Sequence, residues 1–458
     1  MAYVKNAGQL SGHGNRKARK AALEIIEYAL AQSNPYGATK KVVSVQGDQL
    51  VVDRLRFDLK KQGRIFVLGA GKATYPIAKA LEEILGDRIS DGLIVSKYGH
   101  QGKLTHAKLY SAGHPIPDES GFEASQKVLD LAKKTRAGDI VFGCITGGSS
   151  ALLPFPVKGV TLAEKKMVTH LLLASGANIV EINAVRKHLS RIKGGRLAKA
   201  IHHQAHLINL TVSDVIGDPL DCISDPTVPD TSTFDDARYT LTKYDLWAKM
   251  PESVVEFLKN ADPKQETVKK ADLSGHNRHD FIIVKGNTAC ESAAEKAREL
   301  GFDTMILSTM FEGESKELGR AFSAIAGEIS LNHRPLSPPC VVIGGGETTV
   351  KIAGKAGEGG PNQEFAAGAA LSIDNMENVV IVGLDSDGTD GPTEYAGAMV
   401  DNSVVLRARE AGIDLFDSLE RHDVTPALRK LGDAILTKDT GTNVNDLKFM
   451  IISPPRGN

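Results

Sequence analysis

With 458 residues the chain is too long for one ordinary core, and two domains are expected. Its hydrophobic fraction of 41% beside 24% charged residues is that of a globular protein, while a formal net charge of −1 and 5% aromatic residues speak against a nucleic-acid surface. No apolar run approaches the roughly 18 residues that span a bilayer, and the four cysteines (Cys144, Cys222, Cys290 and Cys340) form no CxxC pair, so a membrane protein, a zinc site and a disulfide framework are all disfavoured. The N-terminal stretch lacks an apolar core followed by a small-residue cleavage site, and the cytoplasm is the expected compartment.

Residues 17–32 carry apolar positions at helical spacing and predict an amphipathic helix. Strands and helices then alternate. A buried strand over 64–69 leads into a helix over 72–86, and strands over 92–97 and 107–113 end in the loop HPIPDES. A helix over 123–134 precedes a strand over 139–146, and a long helical stretch over 161–203 is broken near 175–178 and 193–195. A strand over 205–214 follows. Strands joined by helix-length crossovers predict a parallel sheet covered on both faces. Residues 215–280 are irregular, rich in Pro, Asp, Ser and Asn, and are expected to hold the domain boundary. A second α/β series starts at DFIIVKG, with helices over 287–300 and 314–331, the strands DTMILST, PPCVVIGGGETT and NVVIVGLD, the helix NQEFAAGAALSI, a helical run around 403–430 and a closing strand over 447–453.

The chemistry gathers in glycine-rich turns at strand ends: 68–74, 144–153, 342–349 and 383–391. A strand-to-helix turn offers unpaired N–H groups and a helix dipole to an anion. In GAGKAT, Gly69 and Gly71 form the turn and Lys72 stands at the helix start, where a cation opposes the dipole. It is neither a Walker A loop nor a full GxGxxG fingerprint. An external anion explains the lysine; a solvated surface lysine is the bland alternative. In TGGSSALL, Gly147, Gly148, Ser149 and Ser150 offer donors for a carboxylate or phosphate, with plain helix capping as the alternative. The spacing is wrong for a serine-hydrolase elbow. The segment 183–195 concentrates Arg186, Lys187, His188, Arg191 and Lys193, a basic face that points either into a cleft or at water. In LDSDGTDG, Asp385, Asp387 and Asp390, with Glu394 beyond, could hold Mg²⁺, though not in an EF-hand; an Asp/Gly turn is the alternative.

Taken in order, GAGKA, GHPIPDE, TGGSSALLPFP, INAVRKHLSRIKGGRLA, VSDVIGDP, PTVPD, GGGETTV, GTDGPTEYAGAMVD and TGTNVNDL resemble the glycerate 2-kinases whose C-terminal part is the MOFRL domain, a family often labelled hydroxypyruvate reductase. The resemblance covers most of the chain. It implies an α/β protein with a Rossmann-like three-layer N-terminal domain (1–250), a smaller α/β MOFRL-type domain (280–458) and a cleft between them. It further implies ATP-dependent phosphorylation of the 2-hydroxyl of D-glycerate with Mg²⁺, the family's lysine being Lys72. On that basis Lys72 and Asp214 are the expected catalytic residues, the latter orienting or deprotonating the hydroxyl from a strand's carboxyl end. Gly69, Gly71, Gly147, Gly148, Ser149, Ser150, Arg186, Lys193, Glu347 and Thr348 are expected to bind substrate or phosphate, and Asp387 and Asp390 the metal. A small hydroxy acid and ATP are the expected partners, with no nucleic acid and no membrane; a homodimer is the oligomeric option.

Two stretches depart from the family. Pro361 stands where GGRNQE has its arginine, and PTEYAGA replaces PTDAAGA, so that Tyr395 brings bulk near the aspartate loop. Another cation (Lys351, Lys355 or one from 186–193) would then substitute, or the substrate is a different sugar acid. The rival from another class is an NAD(P)H-dependent hydroxypyruvate reductase. It lacks the ribose-binding carboxylate after the second strand, where Ser96 and Lys97 stand, although Lys97 could accept the phosphate of NADP. A catalytically idle sugar-acid or nucleotide binder is the third reading.

Overall fold

The run Ile65–Ala70 (β1) is buried at every position, as an unbroken apolar strand covered on both faces must be. In the computed structural model, which describes residues 2–99, 102–215 and 217–454, β1 lies inside a sheet of six parallel strands. The others are Ile89–Lys97 (β2), Lys108–Ala112 (β3), Ile140–Ile145 (β4), His206–Val212 (β5) and Asn277–Val284 (β6). Their order is β3-β2-β1-β4-β5-β6, every neighbouring pair parallel. The chain reverses its direction of travel between β1 and β4. The turns after those two strands therefore flank the topological switch point, where open α/β sheets place their ligands.

The helical stretch after β4 breaks where its polar residues cap. Thr161 and Glu164 form a reciprocal capping box that starts Leu162–Ala174, and Asn178 with Glu181 starts Ile179–His188 in the same way. Arg196–Ala200 follows the Gly194–Gly195 pair. The helix after β1 spans Thr74–Leu85, two residues later than expected, because Lys72 and Ala73 are held in the turn. A small antiparallel meander (Val43–Gln46, Gln49–Val52, Leu55–Asp58) precedes β1 and was not anticipated.

Two compact units divide the described chain: residues 35–284 form one, and the chain up to Asn34 joins the chain from Lys285 onward in the other. The division corrects the expected 1–250 and 280–458 domains at both edges. DFIIVKG does not open the second unit; it is β6, the edge strand of the first sheet. The helix Arg16–Gln32 belongs to the second unit because its fully buried Arg19 is anchored there: Nε donates to Asp401 Oδ2 at 2.6 Å and Nη2 to Asp433 Oδ1 at 2.9 Å.

The second unit holds a mixed sheet of Asp303–Phe311 (β7), Cys340–Gly346 (β8), Val379–Asp385 (β9), Gly397–Asp401 (β10), Ala434–Ile435 (β11) and Asp446–Ile452 (β12). The order is β7-β8-β12-β9-β10-β11; β7 and β8 run parallel and the remaining neighbours antiparallel. The closing strand thus runs between β8 and β9, fully buried. One face packs Val342, Ile381 and Met450 with Phe322 and Phe365 of the covering helices. Tyr395 lies in this same cluster, so its bulk fills the core instead of the aspartate loop. The glycines of VIGGGETT lie within β8 itself, not in a turn beyond it: a Cβ at Gly344 would press on Phe311 and Phe322. Among the described residues no helix is long and apolar enough to cross a membrane.

Candidate active site at the sheet switch point

The turns after β1 and β4 are stapled to each other. The backbone N–H of Lys72 donates to Gly147 O at 2.8 Å, that of Ala73 to Thr146 Oγ1 at 3.2 Å, and that of Gly71 to Val95 O at 3.2 Å. Gly69 and Gly71 are small because a Cβ on them would overlap Cys144 and Thr146 respectively. The first turn's amides are therefore consumed inside the protein, which corrects the expectation that Gly69 and Gly71 cradle an anion. They bring the second turn close.

Four groups converge on that second turn. A Cβ on Gly147 would overlap the Asp214 carboxylate, which follows β5. A Cβ on Gly148 would lie 3.0 Å from His114 Nε2 and 3.2 Å from Lys72 Cγ. Gly148 has φ of +86°, a left-handed conformation that glycine adopts without strain. Lys72, His114, Gly147–Gly148 and Asp214 thus meet from the ends of β1, β3, β4 and β5. Ser149 is buried, its N–H turned back to Thr146 O at 3.2 Å, and faces the protein. His114 was not singled out in advance; its signal is the GHPIPDE loop after the third strand.

Most of the basic segment is turned inward, although Arg191 is exposed and stacks over Phe155. Asn183, Lys187, His188, Ser190 and Lys193 are all buried. Lys187 Nζ pairs with Asp230 Oδ1 at 3.0 Å, and the nearby carboxylates hold its pKa above the ordinary lysine value despite burial. Lys193 is fully buried, so it does not contact a ligand as expected; its Nζ donates to Ser150 Oγ at 2.6 Å and lies 3.5 Å from Asp225 Oδ2. Burial lowers its pKa to about 8, with Asp225 opposing and Arg186 adding to the effect. Burial likewise pushes Lys165 well down; its Nζ donates to the carbonyls of Arg186 and Leu189. The Arg186 guanidinium makes no hydrogen bond or ion pair with the described residues. Desolvation lowers its pKa too. A desolvated cation that Asp225 offsets only at a distance, in a cluster dominated by cations, is the complement of an external anion.

In the second unit the predicted residues part ways. Asp387 Oδ1 accepts from Thr389 N at 2.9 Å and Thr389 Oγ1 at 2.7 Å, and Asp385 Oδ1 accepts from Asp387 N at 2.9 Å. Asp390 is buried at the start of the helix Pro361–Ala370. Its Oδ1 accepts from Asn362 N (2.9 Å) and Nδ2 (3.2 Å), its Oδ2 from Gln363 N (2.8 Å) and Nε2 (3.2 Å). Burial pushes its pKa up to about 7 against those donors. Both oxygens are spent on the helix end, so the metal expectation fails for Asp390. Thr348 is also committed, its N–H to Asp446 Oδ2 at 3.3 Å and its hydroxyl accepting from Ser315 Oγ at 2.8 Å; Glu347 is exposed. Asp446 further accepts from Asn362 Nδ2 at 2.7 Å and from the fully buried Lys448, a cluster that was not anticipated. Among the described residues no group of three or more His, Cys, Asp or Glu is arranged to hold a metal.

Comparison with known proteins matches residues 21–259 to a domain of unknown function (DUF4147) and residues 340–446 to the MOFRL family. The chain is 43% identical over 441 residues to a glycerate 2-kinase of Pyrococcus horikoshii, covering 96% of this chain and 98% of that one. It is 38% identical over 392 residues to a putative hydroxypyruvate reductase of Agrobacterium vitis, covering 85% and 100%. The crystal structure of a glycerate kinase from Thermotoga maritima superposes with a TM-score of 0.83 at 38% identity, covering 95% of this chain and 99% of the other.

Proposed function

The chain belongs to the glycerate kinase family with a C-terminal MOFRL domain, and from that premise we propose that it transfers the γ-phosphoryl group of ATP to the 2-hydroxyl of D-glycerate. The observation that carries this reading is the meeting of Lys72, His114 and Asp214 at Gly147–Gly148, with Ser150 of the same turn tied to Lys193, on whose ammonium Arg186 bears. Phosphoryl transfer asks the protein for positioning and charge neutralisation more than for covalent chemistry. Lys72 supplies positive charge to the phosphoryl oxygens as it builds in the transition state. Arg186, a planar fork of donors, clamps the acid's carboxylate. Asp214 orients the attacking hydroxyl and accepts its proton, and Ser150 donates to an anionic oxygen.

In the second unit Asp385 and Asp387 are the residues proposed to hold Mg²⁺. They offer hard oxygen ligands, and Mg²⁺ bound through one or two carboxylates keeps its remaining waters and phosphate contacts. The ion, when bound, offsets phosphate charge. The nicotinamide alternative lacks support: β2 ends at Ser96 and Lys97 without the carboxylate that holds a ribose. An ADP-release assay across short 2- and 3-hydroxy acids, with NAD(P)H absorbance as control, tests the proposal. D-glycerate is expected to give the highest kcat/KM, and ADP release that no hydroxy acid stimulates would overturn it.

A further inference from the structure

Because Lys193 is fully buried, it acts on a ligand only through what it touches, and what it touches is the half-buried Ser150. The 2.6 Å hydrogen bond has a fixed direction while the lysine is charged. An ammonium can only donate. Ser150 Oγ is then the acceptor, and the serine keeps its own O–H for another partner. Behind the ammonium stands Asp225, with Oδ2 at 3.5 Å and Oδ1 buried without a hydrogen-bond partner among the described residues. Lys165, Arg186 and Lys187 bear on the same ammonium and all three disfavour its charge. Asp225 is thus the carboxylate that stabilises it.

We propose that Lys193 is a positioning residue that aims the Ser150 hydroxyl: by donating to Oγ it turns the serine hydrogen away from itself, as a donor to an anionic oxygen of the bound acid or phosphoryl group. The proposal rests on reading the 146–150 turn as anion-facing. It carries a consequence for pH. A neutral amine has a lone pair and accepts from Ser150, so loss of the lysine proton reverses the hydrogen bond. The serine then presents its oxygen lone pairs to the anion, and attraction becomes repulsion. With the amine's pKa lowered to about 8, the reversal falls just above neutral pH.

A double-mutant cycle tests this, using Ser150→Ala, Lys193→Met and the pair together. It is read on kcat/KM for D-glycerate and, separately, on the dissociation constant of inorganic phosphate by calorimetry. Lys193→Met is expected to cost roughly 10–100-fold in the wild-type background and less than about threefold in the Ser150→Ala background, since the lysine acts through the serine. Equal costs in both backgrounds would overturn the proposal. Ser150→Ala leaves every buried charge in place and guards against a folding artefact. It should abolish the decline of kcat/KM and of phosphate affinity above about pH 8 in a variant that a thermal melt shows to be folded; a persisting decline contradicts the proposal. If the wild type phosphorylates no acid, the functional reading fails, and the phosphate cycle still decides this inference. Absence of phosphate binding as well would refute it.

Discussion

The carboxylate of Asp214 packs against the Cα of Gly147 so closely that no Cβ fits between them. This contact ties the end of β5 to the turn after β4 and sets where the proposed base stands. Gly147 is absent from the positive-φ residues, so alanine suits its backbone. Gly147→Ala should therefore fold and displace Asp214. Misplacing a catalytic group by about 1 Å costs on the order of 100-fold. Steady-state kinetics beside a thermal melt checks this; near-normal kcat would remove Asp214 from the chemistry.

Arg186 should answer differently. Arg186→Met keeps much of the side chain's volume but removes the fork that holds the carboxylate. KM for D-glycerate is expected to rise roughly 10–100-fold, the scale of lost charge-assisted hydrogen bonds, with kcat changed much less. Isothermal titration with the acid in the absence of ATP gives the binding change directly.

The two aspartates of the second unit should separate. Asp387→Asn should raise the Mg²⁺ concentration needed for half-maximal activity. Asp390→Asn should leave that requirement alone and destabilise the unit by about 1–3 kcal/mol, because buried N–H donors at the helix start lose an acceptor. The pH dependence follows from the raised carboxyl pKa. The unfolded chain releases this proton near pH 4, the folded one near 7. Between these values the folded state holds the extra proton, so this group's contribution to stability falls as pH rises. Denaturant midpoints measured across that window should show the slope in the wild type and lack it in Asp390→Asn.

Arg19 offers a purely structural test. Its guanidinium is fully buried between Asp401 and Asp433, and the two carboxylates keep its pKa high. Arg19→Met leaves the buried Asp401 without its cation, while Asp433 keeps Arg407 at 2.7 Å, and should cost about 3–5 kcal/mol, read as a lower melting temperature of the second unit.

The sequence made the inner strands legible because strands buried on both faces must be apolar throughout, as β1 and β4 are. It could not say which sheet a strand joins. β6 is a half-buried edge strand whose pairing with β5 leaves no local mark, and it was therefore assigned to the wrong unit. The placement of residues 1–34 depends on ion pairs spanning 382 and 414 positions, which no local pattern reveals. Lys72, Asp214 and the 147–148 glycines were singled out from their place after strands, and the fold brings them together. The amides of 71–73 were misread because glycine in a turn signals close approach of backbone as readily as of an anion. Asp446 and Lys448 had a signal that went unused: two charges on alternate positions of a strand otherwise apolar.

The central claim is that Lys72 serves phosphoryl transfer to a small hydroxy acid, and the most direct measurement is D-glycerate-dependent ADP release by the wild type and by Lys72→Ala, with NADPH oxidation by hydroxypyruvate followed in parallel. Removing one charge from the transition state should lower kcat by roughly 100–1000-fold, with an unchanged melting temperature and no NADPH oxidation by either form. Undiminished ADP release in the variant, or NADPH oxidation without any glycerate-dependent ADP, would contradict the account.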